Sequence, residues 1–226
     1  SKRVVVIDPR RTASCDVADL HLQIKPGSDG LLFAGLLKHL QRDGRIDEQY
    51  VQTHTEGLSP ALAALASIDD DRVGAATGLS VYELQTLYQW FSATEKTVTL
   101  YSQCINQAAT GTDKCNAIIN CHLATGRLGK PGAGPFSITG QPNAMGGREV
   151  GGLANQLAAH MEFRADDIDR VGRFWQAPAM ATQQGLKAVE MFQAAAQGKI
   201  RFLWIMATNP AVSLPDANRV RDAISR

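Results

Sequence analysis

The sequence predicts an α/β fold, a Rossmann-like parallel sheet with flanking helices. Three observations carry that reading. Short apolar runs at residues 3–7, 98–101 and 200–206 are rich in β-branched or aromatic side chains, as buried strands are. Each run ends in a polar turn, and helical patterns separate the runs. Strands alternating with helices imply a parallel sheet covered on both faces. Ligands of such sheets sit beyond the carboxyl ends of the strands, where all three polar turns fall.

The elements follow in order. Residues 3–7 form the first strand, and Pro9 ends it by removing a backbone donor. Residues 31–40 carry apolar side chains on one helical face, with Ser28 and Asp29 as start signals. Residues 44–78 are helical, rich in Ala and locally acidic at Asp69, Asp70 and Asp71; helices are expected over 58–67 and 80–92. A boundary is expected near residues 93–96, giving one cofactor-binding α/β domain over 1–95 and part of a second over 96–226. The strand at 98–101 leads through residues 102–107 to a helix at 112–123, with Thr112 and Asp113 suited to its start. Residues 125–152 are too rich in Gly and Pro for a regular element. They carry Arg127, Lys130, Gln141, Asn143 and Arg148, and read as a structured loop beside a large polar ligand. Helices are expected at 149–160 and 185–197, the latter stopped by Gly198, and at 216–224.

The totals bound the function. Hydrophobic content of 44% with 20% charged residues is that of a soluble globular protein. A net charge of +1 gives no argument for nucleic acid. No apolar run approaches the roughly 20 residues that span a bilayer, and the start has no signal-peptide layout, so a cytoplasmic protein without membrane contact is expected. Cys15, Cys104, Cys115 and Cys121 form no metal-binding spacing and read as small, reduced, buried apolar residues. The abrupt ends suggest an internal piece of something larger.

Four segments carry candidate chemistry. In the first, Asp8 and Thr12 can bond a sugar or base while Arg10 and Arg11 offer planar forks to phosphate; a capped turn with solvated arginines is the plainer reading. In the second, residues 25–30 precede a helix, where free N–H groups favour an anion. Asp29 there suits the paired N–H groups of a guanine edge, or simply starts the helix with Ser28. In the third, Gln103, Asn106 and Gln107 suit the edge of a pterin or purine, and Gly111 lets a ligand approach the backbone. In the fourth, Asn209 stands at a strand end before Pro210, and starts a turn in the plainer reading. His122 and His160 lack partners at metal-ligand spacing and are read as structural. A phosphate-binding P-loop, a dinucleotide Gly-x-Gly-x-x-Gly and a serine nucleophile elbow are all missing from the sequence.

These segments, in this order, resemble the catalytic subunits of prokaryotic assimilatory nitrate reductases, within the dimethyl-sulfoxide-reductase family of molybdenum enzymes. The resemblance rests on residues 5–12, 25–30, 106–114 and the loop 134–151, with 205–213 as a further element, and it runs over essentially the whole chain. It implies molybdenum held by two pterin guanine dinucleotides, and reduction of nitrate to nitrite. By similarity, Asp8, Pro9, Arg10, Arg11 and Thr12 with Gly27, Ser28 and Asp29 would hold one guanosine end. Gln103 and Gln107, with Asn106 in the same turn, would lie near the pterin and metal, and Asn209 would touch the other nucleotide. It also implies an electron-donor protein or subunit as partner, contacts with the rest of a longer parent chain, and a 4Fe–4S cluster in the parent that this segment does not bind. An isolated piece would then be inactive. Cys104 stands where relatives tend to have Gly, and Ser28 where Thr is commoner. Asn116 replaces the Arg of formate dehydrogenases, which favours nitrate over the formate alternative. A non-redox guanine-nucleotide-binding module is the other alternative.

Overall fold

Parallel strand pairing, the signature expected of an α/β chain, is present in two small sheets. In this computed structural model, residues 2–138 and 140–225 are described. The chain divides into two compact units, residues 1–140 and 141–226. The first unit holds β1 (Val5–Ile7), β2 (Leu20–Leu22), α1 (Asp29–Arg42), α2 (Glu48–His54), α3 (Leu58–Ala64), α4 (Asp70–Thr77), α5 (Val81–Ala93), β3 (Val98–Tyr101), α6 (Gln103–Asn106), α7 (Gly111–Ala124) and β4 (Gly134–Ser137). The second holds α8 (Ala144–Glu149), α9 (Ala165–Trp175), α10 (Ala188–Ala196), α11 (Pro210–Ser213) and α12 (Ala217–Ser225).

Among the described residues, β1 pairs only with β2 and β3 only with β4, so the single sheet expected to join all three apolar runs is not formed. The registers place Val5 beside Leu20 and Leu100 beside Phe136. β2 and β4 escaped the sequence reading because each is too short to show a period. β4 lies inside the Gly-rich segment, which therefore does contain a regular element, contrary to expectation. The expected strand at 200–206 is not formed: the segment has no regular structure and pairs with no strand among the described residues, with Phe202, Trp204 and Met206 exposed. Strand preference reflects packing on neighbours more than the backbone itself, and this segment has no ladder to join. The helix expected at 149–160 is replaced by the short α8, a single tight turn at residues 158–160, and α9 beyond it.

The first unit is built on α1. Its apolar side chains recur at helical spacing, and Leu32, Leu36, Leu37 and Leu40 are buried against α4, α5 and α7. Ser80 and Glu83 cap α5 reciprocally: the Ser80 N–H donates to Glu83 Oε2 at 2.8 Å and the Glu83 N–H to Ser80 Oγ at 3.3 Å. Tyr88 on α5 is wholly buried, and its hydroxyl donates to the Leu32 carbonyl at 2.9 Å. Gly35 on α1 makes room for that contact, because a Cβ there would run into the Tyr88 hydroxyl and lie 2.8 Å from Val73. Cys121 is buried between α1 and α7, with Sγ 3.3 Å from the Phe33 carbonyl. Burial pushes its thiol well above the ordinary range. Cys15 is buried as expected, but Cys104 is exposed, against expectation. In the second unit, Phe192, Ala195, Val220 and Ala223 form a small core between α10 and α12.

A polar cluster closes the first unit's core. Arg127, expected to face a ligand, is instead 4% exposed. Its Nη2 donates to the Phe91 and Thr94 carbonyls, both at 2.7 Å, which satisfies the end of α5, and its guanidinium stacks 4.3 Å over the Phe91 ring. His122 is wholly buried, with Nε2 2.8 Å from Thr99 Oγ1 and its ring edge-on to Phe91. Burial, aided by the charge of Arg127, holds its pKa down to about 4. The structural role expected of His122 is what its surroundings show.

Two outcomes follow from this packing. Gly35→Ala should lower unfolding stability by about 1–3 kcal/mol in denaturant titration, because the overpacked methyl has only Tyr88 or Val73 to displace; an unchanged midpoint would contradict the packing. His122 should make the fold acid-sensitive. Above its ordinary value of 6.5 it is neutral folded or unfolded, and between 6.5 and about 4 only the unfolded chain takes the proton. Stability should therefore fall as pH drops through that window, by on the order of 3 kcal/mol from this group. His122→Gln should flatten the slope of stability against pH there; an unaltered slope would show that His122 is protonated in the fold.

Candidate functional site

The residues singled out by the sequence lie mostly at the carboxyl ends of the first unit's strands. The Asp8 N–H donates to the Leu22 carbonyl at 3.2 Å, carrying the β1–β2 ladder one step past β1. Asp8 Oδ1 accepts from the Arg10 N–H at 2.7 Å and so closes the bend over Pro9. Gln23 donates to the Pro9 carbonyl at 2.9 Å. Arg11 pairs with Asp16 at 3.1 Å, both side chains well exposed. Arg10 is exposed and its guanidinium has no partner among the described residues. Thr12 begins the next turn, its carbonyl accepting from the Cys15 N–H at 2.9 Å.

The second turn follows β2. The Lys25 N–H donates to the Thr77 carbonyl at 2.7 Å, which fixes the turn to the end of α4. Ser28 stands at the start of α1 but does not cap it; its hydroxyl donates back to the Lys25 carbonyl at 2.6 Å. Gly27 sits at φ +87°, with open space where a Cβ would be. Asp29 opens α1, and its carboxylate takes a 2.8 Å bond from Lys114 Nζ rather than facing solvent.

The third turn follows β3. Ile105 is buried and anchors α6, leaving Gln103, Asn106 and Gln107 exposed around it. Their side-chain amides have no hydrogen-bond partner among the described residues. Gly111, at the first residue of α7, passes directly beneath the Asn106 carbonyl, where any Cβ would collide with backbone. That glycine was expected to admit a ligand; what it admits is the chain itself.

Three turns are thus linked in series within the first unit. The Asp8–Leu22 bond joins the first to the strand that feeds the second. The Asp29–Lys114 pair joins the second to the start of α7, and Gly111 brings that start against Asn106. Asn209 lies in the second unit and precedes α11, with Pro210 at its first position. Its carbonyl accepts from the Val212 and Ser213 N–H groups, both at 3.0 Å, and its amide has no partner among the described residues.

Lys114 lies within the 106–114 segment that carries the resemblance, but the sequence reading assigned it no role. Its signal was present: a cation in the first turn of a helix opposes the helix dipole and needs another reason to be there. Among the described residues no three His, Cys, Asp or Glu side chains gather as a metal-ligand set, and no helix is long and apolar enough to cross a membrane.

Residues 1–225 match the family model described as molybdopterin oxidoreductase. A nitrate reductase of Klebsiella oxytoca is 52% identical over 99% of this chain and 25% of its own length. Another, of Shewanella frigidimarina (strain NCIMB 400), is 48% identical over 99% of this chain and 24% of its own. The assimilatory nitrate reductase catalytic subunit of Bacillus subtilis (strain 168) is 33% identical over 98% of this chain and 32% of its own. The chain spans about a quarter to a third of the length of these relatives.

The contact beneath Asn106 sets one outcome for the site. Gly111→Ala should lose about 1–3 kcal/mol of stability in denaturant unfolding, because the obstacle is backbone and cannot rotate away. A variant as stable as the parent would mean that the turn is looser than this geometry.

Proposed function

This chain belongs to the molybdopterin oxidoreductase family, and from that premise we propose that its strand-end turns grip a bis-molybdopterin guanine dinucleotide in an enzyme that reduces nitrate to nitrite. The observation that supports it is the series of linked turns in the first unit, which presents the amides of Gln103, Asn106 and Gln107 and the guanidinium of Arg10 with no partner among the described residues.

The donor set fits such a ligand. Arg10 and Arg11 carry the charge and fork geometry for phosphate, and Arg11 gives up only an exposed ion pair, worth roughly 0–1 kcal/mol, to turn toward one. Pro9 directs the bend, and Asp8 and Thr12 offer oxygens to the guanosine end. Gly27 leaves open space beside it, next to Ser28 and Asp29 in the same turn. Gln103, Asn106 and Gln107 each supply a free donor and acceptor, which a pterin edge requires. Asn209 offers the same to the second nucleotide.

The bound group would supply the redox chemistry, in which nitrate gains two electrons and two protons and leaves as nitrite and water. The protein's part is placement: the turns orient the pterin, and the cations balance its phosphates. The nitrate assignment rests on the names that similar proteins carry. In this reading turnover needs more chain than these residues, with a 4Fe–4S cluster held elsewhere and an electron-donor protein, in the cytoplasm.

The test compares molybdenum, guanosine and nitrate reduction with a chemical reductant. The longer polypeptide should hold both cofactor components and reduce nitrate, whereas residues 1–226 alone should not turn over. Arg10→Ala with Arg11→Ala should lower guanosine content by roughly tenfold, the effect of losing about 1.4 kcal/mol of binding. Gln103→Ala with Gln107→Ala should lower turnover more than guanosine content. A longer polypeptide free of molybdenum and guanosine, or nitrate turnover by the isolated 226 residues, would overturn the reading.

A further inference from the structure

The geometry points to Asp29 and Lys114 as a positioning pair that spaces two of the cofactor turns, with one Asp29 carboxylate oxygen engaged by the lysine. The assignment rests on the reading that these turns face a pterin dinucleotide.

Lys114 Nζ donates to Asp29 Oδ2 at 2.8 Å across 85 residues of sequence. The side chains are only 7% and 17% exposed. A buried ammonium is rare in proteins unless it is paired, and here Asp29 is the one hydrogen-bond acceptor it has among the described residues. The aliphatic stem passes close to α1: a Cβ built at Gly30 would lie 3.6 Å from Lys114 Cγ, in ordinary van der Waals contact.

The two charges sit unequally on their helices. Asp29 opens α1 and Lys114 lies in the first turn of α7, and both helix ends carry partial positive charge. The carboxylate therefore stabilises its own helix, while the ammonium works against its own. A lysine kept at the wrong end of α7 has its explanation in the partner across the gap.

The consequence is positional. The 25–29 turn immediately precedes α1, and the 103–107 turn is tied to the start of α7 by the Gly111 contact under Asn106. Pinning the first turns of α1 and α7 together thus fixes the distance between the guanosine-side turn and the pterin-side turn. Removing one member of a buried pair leaves the other uncompensated, whereas removing both costs far less.

The test is amide hydrogen exchange on the cofactor-free chain, followed by guanosine content of the loaded, longer polypeptide. Asp29→Asn and Lys114→Met should each speed exchange on the order of tenfold in residues 25–32 and in residues 103–114 together, as expected when a coupled local opening becomes easier. The double variant should be no worse than either single one, the non-additivity of residues acting as a unit. Guanosine content should fall in both single variants and recover in Lys114→Arg. If Asp29 served only as a guanine ligand, Asp29→Asn would leave exchange at 103–114 unchanged, and Lys114→Met would keep its guanosine. Either of those results overturns the proposal. Should Lys114→Met fail to fold, Asp29→Glu makes the same comparison, because a longer acidic arm must shift exchange in both segments or the pair does not couple them. A wild-type protein devoid of guanosine would sink the cofactor reading while the exchange result still judged the pair.

Discussion

Two helices begin where the strands end, and one buried ion pair ties their first turns together. Everything proposed for the first unit depends on that tie. Without Asp29–Lys114, α1 and α7 would still pack through Leu36, Leu37, Ile118 and Cys121. Apolar contact alone, however, tolerates sliding that a hydrogen-bonded pair does not, because the hydrophobic effect has no direction. The apolar face supplies stability and the charged pair supplies register. Around it the other fixed points are backbone contacts: Asp8 to Leu22, Lys25 to Thr77, and Gly111 beneath Asn106. These contacts set the positions of the turns from within the fold.

Most helices of the first unit were legible in the sequence, and the reason is length. α1, α5 and α7 each run three turns or more, so their apolar faces repeat often enough to be seen. β1 and β3 were legible as β-branched runs. β2, Leu-His-Leu, was not, because a three-residue strand has no period to detect. The run at 200–206 failed for the opposite reason. It is apolar on both faces, the pattern of a strand with neighbours on each side, and among the described residues none pairs with it. Its exposed Phe202 and Trp204 are what such a strand shows when no sheet surrounds it.

The candidate site was legible as a set of turns but not as a set of roles. Chemistry is written in residue types, so Arg10, Gln103 and Asn106 could be picked out from the sequence alone. Direction is not written there. Arg127 looked like a ligand residue because it stands in a Gly-rich segment, yet it turns inward to the carbonyls of Phe91 and Thr94. Asp29 looked like a base reader, yet it holds a lysine 85 positions away. Neither partner could be foreseen, for one reason: a charged side chain takes whatever partner the fold brings, and long-range partners leave no local trace. The sequence resemblance and the family match agree on what kind of molecule this is. The side-chain contacts decide which of its residues remain free to meet a ligand.

The most direct measurement is a density map of the cofactor-loaded, longer polypeptide at a resolution that shows side chains. The account expects a guanosine end against residues 8–12 and 27–29, a pterin edge against Gln103, Asn106 and Gln107, and Asp29 still bonded to Lys114. Density for the ligand that leaves all of these turns untouched would contradict it.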